Sequence, residues 1–213
     1  MNGFSMEAKN YKSLNSFAKK GACVLFGTGV DKNIPVLEIA DACQFNFTIY
    51  NRSVSYMSIL DAVNLYDTCV LPLEPESVLL HIGKSDAELF RKNPGSFDKA
   101  YMALISHIKQ CSPKARIAVI SVNDNLNNAE LFEDMNRHLK AVADAERCEF
   151  CDETKPKVWN PDATREVASF LYSQGFIEPL KVRKPLRDIA NLLYAYMNVY
   201  GMDASFDSMP QVG

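Results

Sequence analysis

The chain has 213 residues, 47% apolar and 23% charged, with a formal net charge of −3. That is enough for one α/β domain with a substantial core, and with no basic run in the sequence nucleic acid is not an expected partner. No stretch approaches the roughly 20 apolar residues of a membrane span, and residues 1–10 lack the apolar core of a signal peptide, so a cytoplasmic protein is expected.

Strand and helix patterns alternate along the chain. Residues 6–19 are predicted to be helical, stopping at Gly21. Residues 22–27 form a first apolar strand, ending in the tight turn Gly27-Thr28-Gly29. A helix runs from Pro35 to about Cys43, and a second strand covers 45–50. Met57 to Val70 is predicted as one helix, broken by Pro72 and Pro75. The third strand is 77–83, followed by a helix from Phe97 to Gln110 with Tyr101, Leu104, Ile105 and Ile108 on one stripe. The fourth strand is 115–122, a helix follows over 129–145, and a short fifth strand covers 147–151. Helices at 162–173 and 185–200 complete the pattern, with 201–213 as a loose tail. In the last helix Leu186, Ile189, Leu193, Tyr196 and Tyr200 share a stripe, which either packs on the sheet or docks a second copy or another protein. Three segments follow: an α/β domain over 1–180, a C-terminal helix over 181–200 and the tail. The alternation predicts a parallel sheet covered by helices on both faces.

Six cysteines stand at 23, 43, 69, 111, 148 and 151. Most fall in apolar elements and read as small buried residues of a reducing compartment. Cys148 and Cys151 form a lone CxxC that ends a strand-like run. A zinc site needs further ligands and a thioredoxin-type motif should open a helix, so no metal or redox cofactor is expected from it.

From Ala22 to about Phe176 the blocks after successive strands resemble those of the SGNH (GDSL-like) hydrolases. Gly27-Thr28-Gly29 stands where that family carries Gly-Asp-Ser. Residues 51–56 are similar to its second block, and Gly83-Lys84-Ser85-Asp86 to its Gly-x-Asn-Asp block. Residues 157–161 are similar to its Asp-x-x-His-Pro block. The resemblance implies a three-layer α/β/α fold with a five-stranded parallel sheet in flavodoxin-like order 2-1-3-4-5. It also shows what has been replaced. The serine nucleophile falls on Gly29, the oxyanion glycine on Tyr56, the oxyanion asparagine on Ser85, the histidine base on Asn160 or Trp159, and the aspartate on Lys157. Gly27, Gly83 and Asp86 remain, as residues that shape turns.

The histidines bear on the same point without any alignment. Serine activation requires a base, usually histidine. Of the three present, His81 lies in an apolar strand, and His107 and His138 lie in helices among Lys and Arg and read as solvent-facing. None follows residue 138.

Three functions fit. The first is a non-catalytic binding or partner protein on the hydrolase fold, its cleft floored by Gly29, filled or plugged by Tyr56, and rimmed by Thr28, Ser53, Ser55, Ser85, Asp86, Trp159 and Asn160. Its ligand would be carbohydrate- or acyl-sized. The second is an active ester hydrolase with a relocated nucleophile such as Ser53, Ser55 or Ser85. The third is an NADP-binding oxidoreductase, with Gly27-x-Gly29 under the pyrophosphate and Arg52 accepting the 2′-phosphate. That motif would need its third glycine where Lys32 stands. Gly83-Lys84-Ser85 lacks the upstream glycine of a P-loop.

Overall fold

The computed structural model describes residues 3–42, 45–123, 128–152 and 186–199. Five strands, β1 (Cys23–Gly27), β2 (Ile49–Asn51), β3 (Ser77–His81), β4 (Arg116–Ile120) and β5 (Glu149–Cys151), form one sheet in the order β2-β1-β3-β4-β5. Every pairing is parallel. The helices are α1 (Gly3–Asn15), α2 (Val36–Ala42), α3 (Ile59–Leu65), α4 (Ala87–Lys92), α5 (Pro94–Cys111), α6 (Ala129–Ala145) and α7 (Leu186–Val199). None of the described helices is long and apolar enough to cross a membrane.

Side chains of a strand alternate between the two faces of a sheet, and both faces here are apolar. Val24 and Phe26 of β1, Val78 and Leu80 of β3, and Ile117 and Val119 of β4 join one buried cluster with α3, α5 and α6. Cys23, Leu25, Leu79, Ala118 and Ile120 join the other, with α2 and α7. The near-continuous apolar strands of the sequence follow from this double burial. Parallel crossovers are right-handed. The chain therefore leaves β1 toward β2 across one face and returns to β3 across the other. The strand order reverses between β1 and β3, and open α/β sheets bind ligands outside the carboxyl ends of the strands at such a point.

The predicted fold class holds, with local differences. Strand two starts four residues later than the apolar run at 45. The helix expected over 57–70 is α-helical only to Leu65. It continues as a π-turn over Tyr66–Val70 and a 3₁₀ turn over Leu71–Leu73. Pro72, which has no N–H to give, explains the stop; the buried Tyr66 hydroxyl, donating to Ser112 Oγ at 2.8 Å, accompanies the bulge. Helix α7 lies on β3, β4 and β5, burying Leu186, Ile189, Ala190, Leu193 and Tyr194. Its predicted stripe is thus used within the chain as far as Leu193. Each fully buried aliphatic side chain there contributes about 1.5–3 kcal/mol. The helix expected over 162–173, the tail 201–213 and the block 157–161 lie outside the described residues.

Candidate functional site

The carboxyl ends of β1 and β3 lie side by side, Gly27 opposite His81. After β1 the chain turns through Thr28 into a 3₁₀ turn over Gly29–Asn33. Thr28 is buried, and its Oγ1 accepts from the Met57 N–H at 3.1 Å, so its hydroxyl braces the turn instead of lining a cleft. Gly29 has φ +59°, a left-handed backbone that favours glycine. Among the described residues a Cβ there would meet nothing within 4 Å. Gly27 is the opposite case: a Cβ would fall 2.1 Å from Asp31 Oδ2.

Asp31 is fully buried. Its Oδ2 accepts from the Thr28 N–H at 2.9 Å, its Oδ1 accepts from the Tyr194 hydroxyl at 2.8 Å, and both oxygens lie 2.8–2.9 Å from His81 Nδ1. Tyr194 Oη also lies 2.8 Å from Nδ1. An ionised carboxylate only accepts, and the single Tyr194 proton goes to Asp31. Nδ1 therefore carries its own hydrogen and donates. The His81 and Tyr194 rings meet edge to face at 4.9 Å. His81 is thus paired, as neither its apolar setting in the sequence nor its distance from residues 31 and 194 revealed. The pair sits beneath α7 and not on an open rim, with 17% of the His81 side chain exposed.

The segment after β2 follows the end of β1. Arg52 and Val54 donate their N–H groups to Leu25 and Gly27 carbonyls at 2.8 and 3.0 Å. Ser53 is buried, and its Oγ accepts from the Gly27 N–H at 3.1 Å. Its hydroxyl is a brace under the turn and not a cleft group. Arg52 is also enclosed. It lies between the Tyr11 and Tyr50 rings, 5.1 Å from each centroid, and its Nε donates to Asn15 Oδ1 at 2.9 Å. Burial lowers its pKa, with the neighbouring Tyr11, Cys69 and Tyr50 acting in the opposite direction. Ser55 is half-buried. Its Oγ accepts from Lys32 Nζ at 2.8 Å and donates to Glu7 Oε1 at 3.2 Å, while Lys32 also pairs with Glu7. Tyr56 has φ +52° and is 65% exposed. Its ring is therefore among the exposed large apolar side chains of the described residues.

After β3, Gly83 has φ +126°, and a Cβ there would press on the Phe97 ring at 3.4 Å. Ser85 is exposed on the following turn. Asp86 is buried, and its carboxylate accepts from the Ile59 N–H at 3.1 Å. Burial pushes its pKa up to about 6; the Ile59 bond acts the other way and Asp61 adds to the rise. The other histidines are not simply solvent-facing. Each is half-buried against a carboxylate, His107 Nε2 at 2.7 Å from Asp67 and His138 Nδ1 at 3.0 Å from Asp98. Cys151 lies in β5, its Sγ 3.3 Å from Asn191 Oδ1, and burial raises the Cys148 thiol pKa. Cys151 therefore belongs to the strand, and Cys148 packs against the core just before it. Lys157, Trp159 and Asn160 lie outside the described residues.

No protein-family model matches the chain, and no curated protein does. Solved structures match closely in shape. A Streptococcus pneumonia protein assigned provisionally as a platelet activating factor superposes with TM-score 0.61 at 15% identity, over 81% of this chain and 92% of that one. A GDSL-like lipase from Bacteroides thetaiotaomicron gives 0.54 at 14% identity, over 81% and 98%. The acetyl xylan esterase AlAXEase gives 0.53 at 14% identity, over 84% and 98%. The chain has the SGNH hydrolase fold.

Within the SGNH fold the resemblance places the nucleophile at Gly29, the oxyanion glycine at Tyr56 and the oxyanion asparagine at Ser85. The structure brings the Gly29 turn, the 51–56 segment and the Gly83–Asp86 turn to the carboxyl edge of the sheet. The left-handed backbone at Tyr56 is the conformation a glycine would take without strain. A dinucleotide-binding reading is not supported: the sheet has five strands in another order, and Arg52 is sealed between two tyrosines.

Proposed function

We propose that this chain is a binding protein on the SGNH fold, without serine-hydrolase chemistry, whose cleft takes an acylated sugar or a similar acyl-bearing group. The observation that carries this reading is Gly29. At the position the resemblance gives to the nucleophile there is no side chain, and none of the described residues lies within 4 Å of where a Cβ would stand. Losing one member of a nucleophile–base unit costs about as much rate as losing all of them. The exposed Ser85 hydroxyl and the open floor at Gly29 offer neutral hydrogen bonding and room for a ligand. One fold neighbour is named for acetylated xylan, and that gives the first ligand to try.

The test joins two measurements on the full chain. Fluorophosphonate labelling and p-nitrophenyl acetate turnover should stay at background. Acetylated xylo-oligosaccharides should raise the melting temperature, and Ser85→Trp at the mouth should abolish that rise. Labelling of the unmodified chain, or the lack of any thermal shift, overturns the reading.

A second reading has one observation in its favour. Ser55 Oγ lies 2.8 Å from Lys32 Nζ, the pairing used by Ser–Lys hydrolases. Against it, Lys32 Nζ is shared with Glu7, which also accepts from the Ser55 hydroxyl. Turnover lost in both Ser55→Ala and Lys32→Met would establish this relocated site.

A further inference from the structure

Asp67, His107 and Cys111 place a carboxylate oxygen, an imidazole nitrogen and a thiol within 4.8 Å of one another. The cluster has no part in the cleft. His107 and Cys111 occupy the last two turns of α5, which runs back to the amino end of β4. They therefore lie toward the edge of the sheet opposite Gly29, and the inference is independent of the proposed function.

Two local features build the cluster. His107 and Cys111 are four residues apart on one helix, so they share a face, and Cys111 Sγ lies 3.7 Å from His107 Nε2. Asp67 comes from the π-turn over Tyr66–Val70, a rare geometry often found at functional sites. The π-turn directs its carboxylate to the same nitrogen, with Oδ1 2.7 Å from Nε2.

The two halves are held together by their chain neighbours. Tyr66 precedes Asp67, and Ser112 follows Cys111. The fully buried Tyr66 donates its hydroxyl to Ser112 Oγ at 2.8 Å, and its ring meets His107 edge-on at 6.2 Å. One buried hydrogen bond therefore fixes both supports of the donor set before any ligand arrives.

We propose that Asp67, His107 and Cys111 form a binding site for a borderline-soft divalent transition metal, zinc in the first instance, with the fourth position left to water or an added ligand. The donor set is the mixed oxygen, nitrogen and sulfur type that zinc takes tetrahedrally. With ordinary zinc–ligand lengths, tetrahedral donors stand about 3.4–3.6 Å apart. The sulfur–nitrogen separation already fits. The oxygen–nitrogen pair must open, and Asp67 is the residue able to move, with 46% of its side chain exposed. On binding, the hydrogen that His107 Nε2 donates to Asp67 is given up through solvent, leaving the neutral ring protonated on Nδ1; the metal takes the freed Nε2 lone pair and the Cys111 thiolate, and the thiol proton goes to solvent. The Asp67–His107 contact is exchanged for two bonds to the metal. Calcium and magnesium, which prefer oxygen ligands alone, are excluded.

Cobalt(II) titration of the reduced full chain tests this, because a bound thiolate gives a near-ultraviolet charge-transfer band. One equivalent of cobalt should produce that band with four-coordinate visible absorption, and one equivalent of zinc should remove it. Cys111→Ser should abolish the band, and His107→Ala should weaken zinc binding by about a hundredfold. Asp67→Asn, at the most exposed of the three residues, guards against misfolding as the cause and should weaken binding by about tenfold. Cys148→Ser should leave the band intact. The absence of any band at millimolar cobalt, or a band that survives Cys111→Ser, overturns the proposal.

Discussion

The Tyr194 hydroxyl donates to Asp31 across a sequence separation of 163 residues, at 2.8 Å. This bond ties α7, the last of the described helices, to the turn after β1. Tyr194→Phe removes a hydrogen bond to a fully buried carboxylate and should cost about 1.5–3 kcal/mol in urea unfolding. Asp31→Ala leaves three donors without their acceptor and should cost about 3–5 kcal/mol. Equal costs for the two changes would show that the tyrosine alone carries the link.

Gly29→Ser should fold. None of the described residues stands within 4 Å of its Cβ, and the left-handed backbone costs about 1–2 kcal/mol. The variant should remain unlabelled by fluorophosphonate, because the nearby histidine packs against Tyr194 under α7 with 17% of its side chain exposed. Labelling that disappears on adding His81→Gln would show that the imidazole reaches position 29 after all.

Tyr56→Gly removes an exposed ring from a left-handed backbone. Strain relief of about 1–2 kcal/mol should offset the extra freedom that glycine gives the unfolded chain, which is roughly 0.5–1 kcal/mol. Unfolding free energy should therefore stay within about 1 kcal/mol of the parent. A loss typical of core truncation would mean that the ring is anchored more firmly than its exposure indicates.

Asp86 titrates near 6 in the fold, against an ordinary value of 3.8. A carboxyl raised on folding favours the folded state while protonated. That contribution is complete below about pH 4 and is lost as pH rises through 6. Asp86→Asn can still accept the Ile59 N–H, and it removes the penalty. It should stabilise the chain by about 1 kcal/mol at pH 7 and change little at pH 4. Denaturation series at the two pH values check the sign. Destabilisation at pH 7 would mean that the ionised carboxylate is favoured in place.

Arg52→Lys should destabilise as much as an ordinary core defect, about 2–3 kcal/mol. An ammonium cannot lie flat between two rings while donating to Asn15 and the Asn51 carbonyl. The parent chain should show no saturable NADP binding by fluorescence, since the guanidinium is already occupied.

Most of the fold was legible in the sequence. The five strands followed from apolar runs and turn residues, and their order followed from the resemblance that the blocks carry. Boundaries shifted where tertiary contacts intervened, as at Leu65, where the helix widens beside the Tyr66–Ser112 bond. The short helix α4 was missed because its six residues fill less than two turns. The tight glycine turn after β1 was also legible, since an apolar run ending in Gly27-Thr28-Gly29 needs no partner to be recognised. The pairing of Asp31, His81 and Tyr194 was not. Its members sit in three separate elements, and no spacing rule connects them. Thr28, Ser53 and Arg52 carried polar groups suited to a cleft. Only burial distinguishes a group that meets a ligand from one that supports the chain.

The collision that forbids a side chain at Gly27 also bears on anions. Turns of this kind usually gather a phosphate by offering it amide hydrogens. Here the Thr28 amide is already taken by a carboxylate from three residues downstream. The chain thus carries an internal counterfeit of the phosphate, placed where a nucleotide would approach. An anion approaching this edge of the sheet would find that amide already taken.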